Sequence, residues 1–355
     1  MKKTRLNRAL ACLLLPLGLA SASMAIADAK GQAYVSNQEG GVTVIDLATM
    51  EATGNLDIGA KGPRGIGITA DGKYLVTANK DDGNISIIDT ATGTVAKQVK
   101  IGKNPEFVRV FGNRAYVTYE PSSISGPPPK PGSEAAKEDD EEEKIPGRIA
   151  IVDLNKGKVI KEIIGKPETE GLEFSRDGKQ LIVTNESDNT ITVHDMKSGK
   201  LEKNIAVGAF GERPRGIKIS PDGKSYVVTL ESSDKLLVLD GNLKPIKAID
   251  TGKAPYGVSF DRDGHRLFVA TSKQKAMQVF DTATMEKIKD IPTGDRCWHF
   301  SFTPDDQQIL LACGKSNEIV VIDANRLEVT KRIADRDMPW GIVTYPKSMG
   351  SLDRP

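Results

Sequence analysis

Seven residues able to bind or ionise fall at matching points along this 355-residue chain: Arg64, Glu106, Glu170, Arg215, Tyr256, Trp298 and Trp340. Each opens a short apolar stretch, most follow a proline or its equivalent, and most precede a glycine (Gly65, Gly171, Gly216, Gly257, Gly341) that lets backbone approach closely. Phe107 and His299 stand in place of that glycine. Gathered at one height, the set could stack its aromatic faces on a planar ligand while Arg64 and Arg215 held the ligand's carboxylates, because guanidinium–carboxylate pairing is charge-assisted. It could equally fill an axis and pair Arg with Glu inside the protein. Glu106 and Glu170 would repel an anion unless cations matched them.

The remaining chemistry-bearing residues are few. Cys297 and Cys313 have fifteen residues between them, with a turn at Pro304 to Asp306 in the middle, so an antiparallel hairpin would bring them together. They form either a structural disulfide or a redox-active pair beside Trp298 and His299. The spacing is not that of a thioredoxin-like pair, and no CxxCH sequence exists to attach haem. Of the three histidines, His194 and His265 read as a strand position and a solvent turn. His299 alone is placed to meet a ligand, as an axial haem ligand or general base, or else as a packed channel residue. No calcium loop and no Ser-His-Asp constellation can be read, so no catalytic residue and no metal ligand is assigned.

The elements that must position these residues follow from a repeat. A short strand ending in Asp recurs at Asp46, Asp89, Asp153, Asp195, Asp240, Asp281 and Asp323, with separations of 43, 64, 42, 45, 41 and 42 residues. A period near 42 residues implies stacked supersecondary units. Turns such as Ala70-Asp71-Gly72 and Pro221-Asp222-Gly223 join the first two strands of a repeat, and turns such as TATGT and MKSGK lead from the Asp into a fourth. Four strands per period make a propeller blade. The first repeat lacks a leading strand and the chain ends on a lone one, Trp340 to Tyr345. The expected fold is therefore all-β, a seven-bladed β-propeller of four-stranded blades closed by the C-terminal strand joining the first blade, over residues 30–346. A tail follows at 347–355.

Two segments lie outside that pattern. Lys2, Lys3, Arg5 and Arg8 precede an apolar run from Ala9 to Ala20 and then Ala25-Ile26-Ala27, which reads as a cleaved signal peptide over 1–27 that would carry Cys12 away. Pro121 to Pro146 is a Pro-rich, acidic insertion expected to be disordered, with six consecutive acids at 138–143 that could dock a basic partner or form a solvated flap. The whole chain carries 49 Lys+Arg against 48 Asp+Glu, and removing residues 1–27 leaves 45 against 48. That balance excludes a general nucleic-acid binder, and no later window is apolar enough for a membrane span, so a monomeric periplasmic protein is expected.

The consensus Pro-x-Gly, Asp-Gly-Lys, YVTN and VxVID resembles the YVTN family of β-propeller repeats across nearly all of residues 30–346; the Trp-Asp dipeptide of tryptophan-aspartate repeats is missing. In the last blade, RCWHFSFTPDD (Arg296 to Asp306) and ACGKSNEIVVID (Ala312 to Asp323) resemble the exported propellers associated with pyrroloquinoline-quinone (PQQ)-dependent catabolism. That resemblance implies a noncatalytic accessory of quinoprotein alcohol oxidation, which handles the planar, polyanionic cofactor PQQ or docks a quinoprotein dehydrogenase or cytochrome c. The alternatives are a redox protein or enzyme holding a quinone or tetrapyrrole at the channel mouth, and a surface or adhesion scaffold.

Overall fold

The computed structural model describes residues 31–120, 145–334 and 336–348. The signal peptide expected over 1–27, residues 121–144 of the insertion with its acidic run, and the tail beyond 348 lie outside the described residues. Within them the chain forms seven four-stranded antiparallel sheets, each built from consecutive strands except the first, whose innermost strand is the last of the chain. That strand, Pro339–Tyr345, pairs with Gln32–Asn37, setting Tyr34 opposite Val343 and Gln32 opposite Tyr345. The sevenfold ring and its closure are as the repeat predicts.

Burial follows strand position. The inner strands Thr169–Phe174, Pro255–Phe260 and Cys297–Phe302 are buried at every residue, whereas outer strands such as Leu201–Ala206 are mostly exposed. Period-two alternation is lost in the inner strands because both faces are covered, one by each neighbouring blade. The apolar side chains accordingly fall into seven clusters, six of which span one junction between adjacent blades, while the seventh joins the junction of blades three and four to Tyr256, Trp298 and Trp340 across the channel mouth. Each buried Val, Leu, Ile or Phe contributes about 1.5–3 kcal/mol, so cohesion lies between blades as much as within them.

The recurrent Asp that defines the repeat ends the third strand and caps the turn after it. Asp46 accepts from the backbone N–H groups of Ala48 and Thr49, and Asp323 from those of Asn325 and Arg326. In the first of these Asx turns the Asp46 pKa lies below the usual range, chiefly through its bond from the Thr49 backbone. The Asp repeat is thus architectural.

Each outer strand carries one extra residue in a β-bulge, at Thr53, Ala96, Ile160, Glu202, Ile246, Ile288 and Thr330. A bulge twists an exposed edge and blunts its capacity to pair with another chain. In six blades the residue after the bulge is lysine, and five of these reach the Asx turn of the next blade: Lys97 to the carbonyl of Asn155 (2.5 Å), Lys161 to Lys197 (2.9 Å), Lys203 to Asn242 (3.3 Å), Lys289 to Arg326 (3.4 Å) and Lys331 to Thr49 (3.3 Å). A charge that discourages edge pairing therefore also clasps the ring circumferentially.

One core position breaks the pattern. The residue before the recurrent Asp is Ile45, Ile88, Val152, Leu239, Phe280 or Ile322 in six blades, and His194 in the fourth. His194 is 1% exposed, and neither ring nitrogen makes a hydrogen bond of normal geometry, although a backbone group of Gly199 lies within electrostatic reach. Burial pushes its pKa down. A base that the fold keeps neutral is uncharged in both states at high pH. As pH falls below about 6.5 the unfolded chain takes up a proton that the fold resists, and stability declines. His194→Ile should therefore raise the unfolding free energy by about 1 kcal/mol at neutral pH and by more near pH 5, as denaturant titrations at the two pH values would measure.

Candidate functional site at the channel mouth

The mouth is made by a local irregularity repeated around the ring. Where an inner strand starts, two residues bulge away from the second strand; in blade five the register breaks between Pro214 and Ile217, freeing Arg215 and Gly216. The hydroxyl of Thr229 on the second strand fills the gap, accepting from the Gly216 N–H (2.9 Å) and donating to the Tyr256 carbonyl of the next blade (2.8 Å). Thr184 does the same for Gly171 (2.8 Å) and the Arg215 carbonyl (2.7 Å). Ser36 joins Gly341 (3.1 Å) to the Arg64 carbonyl. Where a glycine follows the mouth residue there is no room for a side chain: a Cβ at Gly171 would lie 2.2 Å from the Arg215 carbonyl oxygen and one at Gly216 would lie 2.4 Å from that of Tyr256. The close approach these glycines permit is that of the neighbouring blade.

The bulges turn successive side chains inward, and the mouth divides into a charged half and an aromatic half. On the charged side, Arg64 pairs with Glu106 (2.5 Å) and donates to Gln38 (2.9 Å). Arg215 serves three carboxylates and a phenol: Glu170 (3.5 Å), Glu231 (2.7 Å), Glu186 and the Tyr256 hydroxyl. Arg213 bridges Glu168 (3.1 Å) and Glu186. On the aromatic side, His299 lies against Trp340 with ring centres 4.3 Å apart, Tyr256 meets His299 edge-on at 5.1 Å, and Phe107 reaches His299 from blade three at 5.7 Å. The Arg215 guanidinium sits over the Tyr256 ring at 4.4 Å and joins the two halves.

Phase alignment thus brings together Arg64, Glu106, Glu170, Arg215, Tyr256, His299 and Trp340. Trp298 belongs to the same buried cluster but turns its ring onto Gly314, where an added Cβ would lie 1.9 Å from the indole, with Arg296 over its face at 5.7 Å. His299 takes the axial place because it occupies the position that is glycine in most blades.

Protonation follows from too few cations serving too many acids. Burial opposes ionisation of Glu106, yet Arg64 and Arg215 outweigh it and hold the carboxyl below its ordinary range. Glu170 has a single longer contact to the shared Arg215, and burial raises it well above the usual value. Glu186 is pushed up to about 7 by burial, against the pull of Arg215 and Arg213. Glu120, at the end of the second strand of blade three, rises to about 9 through burial and the charges of Glu106, Glu168 and Glu186. His299 is held neutral, its pKa lowered to about 3 by burial and by Arg215 and Lys218.

Glu120, Glu168, Glu186, Arg213 and Glu231 were missed when only the first-strand phase was aligned. Two further repeat positions would have revealed them: the residue after the second strand (Glu120, Glu186 and Glu231 in three consecutive blades) and the residue two before each mouth residue (Glu168 and Arg213). The latter position has left-handed backbone at Asn104, Glu168, Arg213, Ala254, Arg296 and Met338.

Cys297 and Cys313 face each other in register and form a disulfide at the mouth end of blade seven. At 1% and 0% exposure they are sealed from solution thiols, which favours the structural role over the redox-active one. Among the described residues no group of three His, Cys, Asp or Glu side chains has metal-binding geometry, and no helix is long and apolar enough to cross a membrane. A separate cleft of about 180 Å³ lies between blades three and four, lined by Phe111, Phe174 and the Arg109–Glu173 ion pair (3.3 Å).

Comparisons with known proteins place the chain among seven-bladed propellers. A family profile described as "Lactonase, 7-bladed beta-propeller" matches residues 154–244. No curated protein matches the sequence. A protein of unknown function from Desulfotomaculum acetoxidans is similar in structure at 16% identity and TM-score 0.73, over 88% of this chain and 98% of that one. Hydrazine synthase of Kuenenia stuttgartiensis is similar at 19% identity and TM-score 0.69, over 82% and 92%. The periplasmic gluconolactonase of Pseudomonas aeruginosa is similar at 16% identity and TM-score 0.69, over 88% and 98%. At these identities the likeness is one of fold.

Two measurements check the site's energetics. Because the fold binds a proton at Glu120 that the unfolded chain releases above about pH 4.5, this group's contribution to stability declines as pH rises from there towards 9. Glu120→Gln should therefore raise the melting temperature at pH 8 and leave it nearly unchanged at pH 4.5. Replacing both Cys297 and Cys313 by Ser should lower the unfolding free energy by about 2–4 kcal/mol in denaturant titration.

Proposed function

We propose that the chain is an exported, noncatalytic binding propeller that serves quinoprotein-type alcohol oxidation by docking a basic protein, a c-type cytochrome or the quinoprotein dehydrogenase itself, on its channel mouth. The observation that carries this reading is the capture of the ring arginines by the protein's own glutamates: Arg64 by Glu106, and Arg215 by Glu170, Glu186 and Glu231. Guanidiniums so engaged are poor hosts for a polyanionic cofactor, and the surplus of carboxyl groups favours a cationic surface. The last-blade resemblance supports the link to an oxidation system, and the signal-like sequence expected over 1–27 supports export. The acidic run at 138–143 adds charge of the same sign. Calorimetric titration of pyrroloquinoline quinone into the mature chain should give no saturable heat, whereas a basic c-type cytochrome should bind at low salt and weaken about tenfold or more by physiological ionic strength. Saturable quinone binding weakened by Arg64→Ala would replace docking with cofactor handling.

A second reading has one observation in its favour. The stretch matched by the lactonase family, 154–244, contains Glu168, Glu170, Glu186, Arg213, Arg215 and Glu231, most of the charged half of the mouth. Hydrolysis of a sugar lactone there would use Glu186, pushed up to about 7, as general base. Turnover of gluconolactone that disappears in Glu186→Gln would establish it.

A further inference from the structure

Five of the six mouth glutamates touch an arginine: Glu106, Glu168, Glu170, Glu186 and Glu231. Glu120 is the sixth. It is 6% exposed, its backbone N–H is bonded to the carbonyl of Lys103 (3.1 Å), and its carboxyl has no hydrogen-bond or ion-pair partner among the described residues. The groups facing it come from four other segments: Glu106 ahead of its own blade's inner strand, Glu168 and Glu186 from blade four, and Arg215 from blade five. Arg215 is already shared among other acids. A buried carboxyl without a partner is costly to keep, and to ionise here it needs one positive charge beside it.

We propose that the charged half of the channel mouth, centred on the Glu120 carboxyl, is a receptor for a single lysine ε-ammonium group of a docking protein. This rests on the docking reading above and specifies its contact. At the rim the Arg64 and Glu168 side chains are 20% and 24% exposed while Glu120 is 6% exposed, so a group that reaches its carboxyl must be narrow and carried on a stem. A lysine tip meets that requirement with a compact charge on four methylenes, whereas the planar guanidinium fork of arginine is wider. A bare metal ion fits less well, since no group of three metal-binding side chains exists among the described residues and the neighbouring acids are held by arginines.

Binding of this cation is coupled to protons. Glu120 is pushed up to about 9 and Glu186 to about 7, in both cases chiefly by burial, so at neutral pH the site holds protons where a cation is absent. An arriving ammonium favours the ionised carboxyl and expels its proton to solvent, so affinity rises with pH by up to about tenfold per unit while the proton is being displaced.

The test is calorimetric titration of the full chain with the blocked peptide acetyl-Gly-Gly-Lys-Gly-Gly-amide near pH 6.5 and 8.5, in two buffers of unlike ionisation heat. The expected result is saturable binding with about one proton released and an affinity at least about fivefold higher at the upper pH. The same peptide with norleucine for lysine should give no heat. Glu120→Gln should lose the proton release and the pH dependence while melting no lower than the wild type, which separates loss of the site from loss of the fold. Absence of lysine-peptide binding at both pH values, or unchanged binding in Glu120→Gln, overturns the proposal. If the peptide gives no heat but a c-type cytochrome binds wild type and Glu120→Gln alike, this site falls and docking stands. If the peptide binds as expected and the cytochrome does not, the site stands and docking of that partner falls.

Discussion

The constraint on which the molecule depends is the contact between neighbouring inner strands, where a glycine of one blade meets the carbonyl of the next blade's mouth residue. At Gly171 and Gly216 there is no room even for a methyl group. The hydroxyls of Thr184 and Thr229 close the same joint with one bond to their own blade and one to the next. A contact that tight fixes how closely the blades converge on the axis. It also fixes the height of each mouth residue, so the stability of the ring and the geometry of the site share one cause.

Two blades relax that constraint, and the site's asymmetry follows. Phe107 and His299 put side chains where most blades have glycine, and both project towards the axis, where they meet at 5.7 Å. With Tyr256 and Trp340 they fill the aromatic half with buried rings. The charged half lies across blades two to five, where the arginines of blades two and five flank the glutamates of blades three and four. Charges taken from water need partners of opposite sign, and three arginines divided among six glutamates satisfy that need unevenly. The uneven sharing is why Glu106 and Glu120, close enough to influence each other, are shifted in opposite directions.

The ring of blades was legible because it rests on patterns one strand long. The recurrent Asp, the Asp-Gly turns and the lone terminal strand identify four strands, seven copies and the closure, and the Asp carboxylate capping its own turn explains why that residue recurs. The pairing of Cys297 with Cys313 was legible from the hairpin between them. The mouth was legible only in part. Repeat phase locates a Cα and cannot tell where a side chain turns, and so Trp298, identical in phase to Trp340, lies over Gly314 while His299 takes the axis. Nor does phase say whether Arg64 and Arg215 are engaged, since their partners sit at other repeat positions. The lysine clasps went unread because each needs the outer-strand bulge, which depends on how two strands register and leaves little mark on composition.

Closure by the last strand also governs when this fold can exist. Blade one needs Pro339–Tyr345 beside Gln32–Asn37, segments separated by nearly the whole chain, so a growing polypeptide leaves the inner edge of Gln32–Asn37 unpaired until that strand emerges. Pairings of such sequence separation form slowly. A protein assembled this way keeps its first blade open until late in its synthesis, and the last strand to be made is the one that locks the ring.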